Sequence, residues 1–131
     1  MPEADGAATP FAYALLRVVP RVERGERVNV AIVLYCRQRD FLELRAHLDE
    51  RRLLTLAPDL DLAAVRDQLE AVSHVLCGDP HGGALARLSA SERFGWIVAP
   101  SSTIIQPSEV HTGLTHDPAA TLEHLFDSLV V

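Results

Sequence analysis

Two apolar segments joined by a short polar loop constrain the fold of this chain more than any other feature. The first covers residues 11–20 and the second residues 28–36, and both are rich in Val, Leu and Ala. Apolar runs of this length, separated by a loop that contains a glycine, are typical of paired β-strands. The second run is apolar at odd and even positions alike, which is the pattern of a strand covered on both faces. We therefore predict that strand 28–36 is internal to a sheet.

The segment after these two strands predicts a third. Residues 42–48 alternate apolar and polar side chains, as in a strand with one solvated face. Three antiparallel strands in sequence form a meander. Further along, residues 96–99 and 103–106 suggest two more short strands, broken at Pro100. These later strands would complete the sheet.

Helix signals occupy the second half of the chain. Apolar residues recur at spacings of three and four after Asp59 or Asp61, and Gly78 provides a helix stop. Residues 89–92 match a capping box for a helix of one or two turns. Asp117 followed by Pro118 begins another helix. We predict the fold class α+β, an antiparallel sheet (the N-terminal three-stranded meander plus short later strands) packed with two main helices.

Length and composition predict a single domain. The chain has 131 residues, and we expect a flexible N-terminal tail at residues 1–9 followed by one α+β domain at residues 10–131. The N-terminus has no signal-peptide pattern, and no apolar run approaches the roughly 20 residues that span a bilayer. Two cysteines do not make a disulfide framework. We expect a soluble cytoplasmic protein with no membrane association.

The charge of the chain argues against general nucleic-acid binding. It has 18 acidic and 12 basic residues, a formal net charge of −6, and every basic residue is arginine. Neutralising phosphates requires a basic surface. The exclusive use of arginine fits a GC-rich bacterial genome, or selection for planar guanidinium recognition.

The loop between the first two strands is the first candidate site. Arg21, Arg24, Glu26 and Arg27 surround Gly25, and Asn29 begins the next strand. Guanidinium groups recognise carboxylates and phosphates through paired hydrogen bonds, so this arginine loop could bind an anionic ligand or an acidic partner surface. The alternative is a solvated loop with internal ion pairs, which contribute little to stability.

Residues 101–113 form the second candidate site. This stretch concentrates hydroxyls, an amide and an imidazole, and its candidate residues are Thr103, Gln106, His111 and Thr112. His111 could act as a base beside a hydroxyl, but the chain lacks a nucleophile-elbow motif. The alternatives are a binding loop, or a surface loop whose hydroxyls satisfy turn and backbone groups.

A third group, His74, Cys77 and His81, has a spacing that suggests a metal site, with Asp79 nearby. A structural zinc site has four protein ligands in recognisable pairs, and this chain lacks the second pair. A helix stop at Gly78 and Pro80 explains the segment equally well. We therefore expect no structural metal and no cofactor.

Several motifs resemble a small bacterial family that is classed only as a domain of unknown function. The motifs cover residues 13–20, 23–26, 29–34, 102–106 and 110–113. The family pattern has glycine at position 31 and arginine at position 101, where this chain has Ala31 and Ser101. Members resemble accessory partners encoded beside HipA-type kinase-like proteins, so the resemblance implies a kinase-like protein partner. It implies no catalytic residue.

These observations favour a binding or adaptor protein over an enzyme. We expect the arginine loop and residues 102–113 to form one recognition surface, because short connections could bring the two strand ends together. The alternative is a small hydrolytic or phosphate-directed enzyme that uses His111 with Arg24 and Glu26. A shared deep pocket would favour that alternative. Homo-oligomerisation is left open by the sequence.

Overall fold

The described part of the chain forms one antiparallel sheet of five strands covered by four α-helices, with two 3₁₀ segments, Arg37–Arg39 and Pro80–Arg87. The computed structural model describes residues 7–20, 24–101 and 103–131. The strands are β1 (Thr9–Val18), β2 (Val28–Cys36), β3 (Phe41–Ala46), β4 (Ile105–Pro107) and β5 (His111–Thr115). The α-helices are α1 (Glu50–Leu56), α2 (Leu62–Cys77), α3 (Ala90–Val98) and α4 (Pro118–Leu129). The predicted α+β class and N-terminal meander are confirmed.

Some predicted features fall outside the described residues. They are most of the predicted tail (residues 1–6), Arg21 of the arginine loop and Ser102 of the second candidate stretch. Thr9, at the other end of the predicted tail, is buried and already belongs to β1.

The sheet is arranged around β1. The strand order is β3-β2-β1-β4, with β5 also paired to β1, so β2 is internal as predicted. Along its second edge, β1 pairs first with β5 and then, nearer its end, with β4. Ser108 bridges the gap between these two strands: its N–H donates to the Leu15 carbonyl at 2.8 Å, and its Oγ accepts from the Leu15 N–H at 2.9 Å. Both edges of β1 are thereby hydrogen-bonded.

Helices cover both faces of the sheet, which explains the two-sided apolar pattern of β2. Helices α1, α2 and α3 pack on one face, against buried residues such as Leu16 and Val33. Helix α4 packs on the other face of the sheet, against Ile32 and Leu34. We call this face of the sheet the α4 face. Ile32 is fully buried.

The helix boundaries follow the capping signals. Asp61 accepts a hydrogen bond from the Ala64 N–H at the start of α2, and Gly78 ends that helix with a φ of 70°. The capping box of Ser89 and Glu92 begins α3, and Asp117 caps α4. Of the described helices, none combines the length and apolarity needed to cross a membrane.

The structure corrects the prediction for residues 96–99. Residues 96–98 belong to α3, which extends for nine residues from the Ser89 cap, and Ala99 is its C-cap, so this segment is not a strand. An apolar run of four residues fits a helix as well as a strand, and here the cap and the buried Phe94 and Ile97, three residues apart, decide for the helix. Helix α1 was not predicted at all.

The prediction for residues 101–113 is also corrected in part. Residues 111–113 lie in β5, where the sequence suggested a loop, and β4 begins at Ile105 and is shorter than predicted. At Gly113 a Cβ atom would lie 2.8 Å from the Phe11 ring, so a larger residue here would displace that ring. The sequence of β5 is mostly polar and does not predict a strand. This segment becomes a strand because it pairs with the otherwise free edge of β1.

We predict that Ser108→Ala destabilises the protein by about 1–3 kcal/mol, because the Leu15 N–H would lose its acceptor inside the fold. Urea unfolding measures the change, and Ser91→Ala, on the exposed side of α3, is the control. Equal stability of the two variants would show that Ser108 does not hold the strands together.

Candidate functional site

Three polar side chains lie in a row across the sheet at the end of β1. Arg17 pairs with Asn29 of β2 on one side and with Gln106 of β4 on the other. Side chains of directly paired residues point to the same face of a sheet. Leu15, two residues before Arg17, packs against α4, so the row lies on the α4 face.

Arg17 and Gln106 line a hollow together with residues of the arginine loop. The hollow has a volume of about 230 Å³. Among the residues that the structure describes, its lining consists of Arg17, Val19, Gly25, Arg27, Gln106 and Pro107, none of which is acidic. We call it the arginine hollow. Gly25 has a φ of 68°, which glycine adopts without strain, so the loop can turn here.

The two arginines of the hollow differ from Arg24 in their charged neighbours. Within the described ranges of the chain, neither Arg17 nor Arg27 forms an ion pair. Arg24 differs: its Nε lies 3.2 Å from the Glu26 carboxylate, and neither residue lines the hollow. In residues 24–27, the part of the loop that the structure describes, Arg24 and Glu26 form an ion pair and Arg27 lines the hollow.

A second, more apolar hollow adjoins the first. It has a volume of about 310 Å³, and its lining includes Val72, Trp96, Ile97 and Thr103. Pro107 lines both hollows, and Trp96 is 44% exposed. We call this the tryptophan hollow. It lies on the side of β4 that faces α2 and α3.

Thr103 and Gln106 are held by hydrogen bonds of their own. Thr103 Oγ1 accepts from Gln68 Nε2 at 2.8 Å and donates to the Ile105 carbonyl at 2.7 Å. Gln106 Nε2 donates to the Thr103 carbonyl at 3.1 Å. Because an amide nitrogen has two protons, Gln106 keeps a second donor for a ligand.

Asn29 connects the sheet to the last helix. Its Nδ2 donates to the Leu129 carbonyl at 2.9 Å, at the C-terminal end of α4. Carbonyls in the last turn of a helix have no partner within the helix, so this side chain satisfies one of them. Asn29 therefore has a structural contact in addition to its place beside Arg17.

His111 and Thr112 lie at the other end of β1. They pair with Tyr13 and Ala12, and the His111 ring lies 5.2 Å from the Tyr13 ring, centroid to centroid. Tyr13 precedes Arg17 by four residues, a distance of about 13 Å along a strand. Neither residue lines the arginine hollow. The structure thus brings Arg27 and Gln106 together, places Thr103 in the adjoining hollow, and leaves His111 and Thr112 apart.

Metal-ligating side chains converge at the end of α2. They are His74, Asp79 and His81; Cys77, which the spacing suggested, is exposed and outside the group. The His81 N–H donates to the Asp79 carboxylate at 2.8 Å, and this hydrogen bond lowers the pKa of Asp79. The adjacent imidazoles of His81 and His74 lower that pKa further.

Two residues of this region were not singled out by sequence. Arg17 is the one charged residue among the mostly apolar residues of β1. Because a strand covered on both faces does not readily bury a charge, such an arginine indicates a place where the strand is open to solvent or to a ligand. Trp96 was assigned to a strand, and only its helical position exposes the ring beside β4.

The chain belongs to the family described as Protein of unknown function (DUF3037), whose model matches residues 13–130. The match covers nearly the whole chain and includes both hollows. Neither curated proteins nor solved structures gave a match to this chain.

We predict that Asn29→Ala lowers the free energy of unfolding by about 0.5–1.5 kcal/mol through loss of one hydrogen bond. Asn29→Asp should cost more, because it places a carboxylate at the negative end of the α4 dipole. Thermal unfolding of both variants tests this, with exposed Gln38→Ala as the control. If all three variants melt like the unmodified protein, Asn29 does not anchor α4.

Proposed function

We propose that this member of the DUF3037 family is a binding protein, and that its arginine hollow recognises an oxyanion carried by a protein partner. The oxyanion is a carboxylate or a phosphate, each of which presents two neighbouring oxygens that can accept paired hydrogen bonds from a guanidinium group. The single observation that supports this most is that Arg17 and Arg27 line one hollow, with no acidic side chain among the described residues that line it.

The size and chemistry of the hollow fit a small charged group. A volume of about 230 Å³ is below the range of about 300–1,000 Å³ that is usual for drug-sized ligands and cofactors. Two guanidinium forks and the free donor of Gln106 can satisfy the several acceptors of one oxyanion. Arg17 is half-buried, which reduces the screening of its charge by water.

The tryptophan hollow suggests that the anion belongs to a protein. An apolar hollow with an exposed indole adjoins the arginine hollow and shares Pro107 with it. Arginine and aromatic residues are enriched where proteins bind one another. A partner segment with an acidic side chain next to an apolar one would occupy both hollows. General nucleic-acid binding is not part of the proposal, because the net charge is −6.

The proposed partner and compartment rest on the family resemblance and on the state of the cysteines. The resemblance noted above implies a kinase-like partner, and we propose that class as the first to test. We also propose a cytoplasmic location, because both cysteines, Cys36 and Cys77, are free. The resemblance to a bacterial family suggests a bacterial source. We do not propose a hydrolytic role, since His111 lies away from the pair formed by Arg24 and Glu26.

The proposal predicts that Arg27→Ala weakens oxyanion binding about tenfold or more, the effect of losing a hydrogen bond to a charged group. Arg24→Ala is the matched control, because Arg24 belongs to the same loop but does not line the hollow. Inorganic phosphate is titrated into the ¹⁵N-labelled full chain, and the amide signals of Arg17, Gly25 and Gln106 are followed. Arg24 forms only an exposed ion pair, which adds little stability, and Arg27 is exposed, so both variants should melt like the unmodified protein.

Two results would show that the hollow is not the site. Equal weakening by Arg24→Ala and Arg27→Ala would indicate a general charge effect. Saturable shifts centred on His111 and Thr112 would move the site to the other end of β1. Either result would overturn the proposal.

A further inference from the structure

The turn after α2 brings three metal-ligating side chains together. One ligand atom from each of His74, Asp79 and His81 lies within 4.8 Å of the other two. The Asp79 carboxylate lies between the imidazoles, with Oδ2 at 3.4 Å from His74 Nδ1 and Oδ1 at 2.7 Å from His81 Nδ1. Two imidazoles and a carboxylate are the ligands that Zn²⁺ and related transition metals prefer.

The backbone builds this cluster through glycines that other residues could not replace. Gly78 ends α2 in the left-handed region, and the Asp79 N–H then donates back to the His74 carbonyl at 3.0 Å. At Gly82 a Cβ atom would lie 3.0 Å from the His74 carbonyl oxygen and 2.8 Å from the Ala86 Cβ. The turn is therefore folded tightly against the end of α2, which holds His81 beside His74.

Two of the contacts within the cluster can be compared with the spacing of zinc ligands. Ligands at 2.0–2.2 Å from a tetrahedral zinc lie roughly 3.3–3.6 Å from one another. The contact of 3.4 Å between His74 and Asp79 meets this spacing. The contact of 2.7 Å between His81 and Asp79 must open by less than about 1 Å on the same scale. The His81 side chain is 79% exposed, so it is free to turn.

The far side of His74 carries the partner that a metal-bound histidine requires. Its Nε2 lies 3.4 Å from the Glu70 carboxylate, one turn earlier on α2. A histidine that binds a metal through one nitrogen donates its other N–H to a carboxylate, which orients the ring and raises its basicity. Glu70 is placed to do this while Nδ1 faces Asp79.

We infer that His74, Asp79 and His81 form a reversible binding site for one divalent transition-metal ion of the Zn²⁺ class, with Glu70 positioning His74. Three protein ligands leave at least one coordination position for water or for a group from outside the chain. Such a site differs from the four-ligand structural zinc site that the sequence argues against. It also lies outside the arginine hollow, so it does not depend on the proposed anion site.

Calorimetric titration of Zn²⁺ into the full-length protein tests the inference, with visible absorption of Co²⁺ as a second readout of coordination geometry. We expect one ion per chain. Asp79→Asn keeps an oxygen that can accept from the His81 N–H, so the turn should survive while the carboxylate ligand is lost. It should weaken zinc binding about tenfold or more, as should His81→Ala.

Asp117→Asn is the matched control, because Asp117 also caps a helix with its side chain but lies in no ligand cluster. Its zinc affinity should equal that of the unmodified protein, and thermal unfolding without metal should show a cooperative transition for all three variants. Two outcomes would overturn the inference: no saturable binding at millimolar Zn²⁺, or unchanged affinity in both Asp79→Asn and His81→Ala.

Discussion

Hydrogen bonding along both edges of β1 is the interaction on which the rest of the structure depends. One edge is paired with β2 over most of the strand, and the other edge of β2 is paired with β3. The other edge is divided between β5 and β4, with Ser108 completing the hydrogen bonds at Leu15. Because β1 is thereby internal, helices can cover both faces, and the two apolar clusters form on opposite sides of one sheet.

The division of that second edge also decides which polar residues meet. β4 reaches only the last part of β1, so Gln106 lies beside Arg17, whereas β5 holds His111 beside Tyr13. The pairing of β1 with β2 is irregular between Leu16 and Arg17, where one residue of β2 is unpaired. Beyond that irregularity the α4 face becomes polar, and the arginine hollow opens there.

Much of the fold follows from local signals in the sequence. Caps such as Asp61 and Ser89 act on the next few residues, so their helices can be predicted without knowledge of the rest of the chain. Strand β5 and the row formed by Arg17 and Gln106 cannot be predicted in this way. They arise from the pairing of segments that lie roughly 90 or more residues apart in the sequence. The sequence identified Arg27 and Gln106 separately, and only the strand register brings them to one hollow.

Location of a bound oxyanion tests the central claim most directly. Crystals of the protein can be soaked in tungstate, and the anomalous scattering of tungsten then locates each bound ion. The account predicts tungstate in the arginine hollow, within hydrogen-bond distance of the Arg17 and Arg27 guanidinium groups. Tungstate bound beside His111, or an empty hollow in crystals that bind tungstate elsewhere, would contradict it.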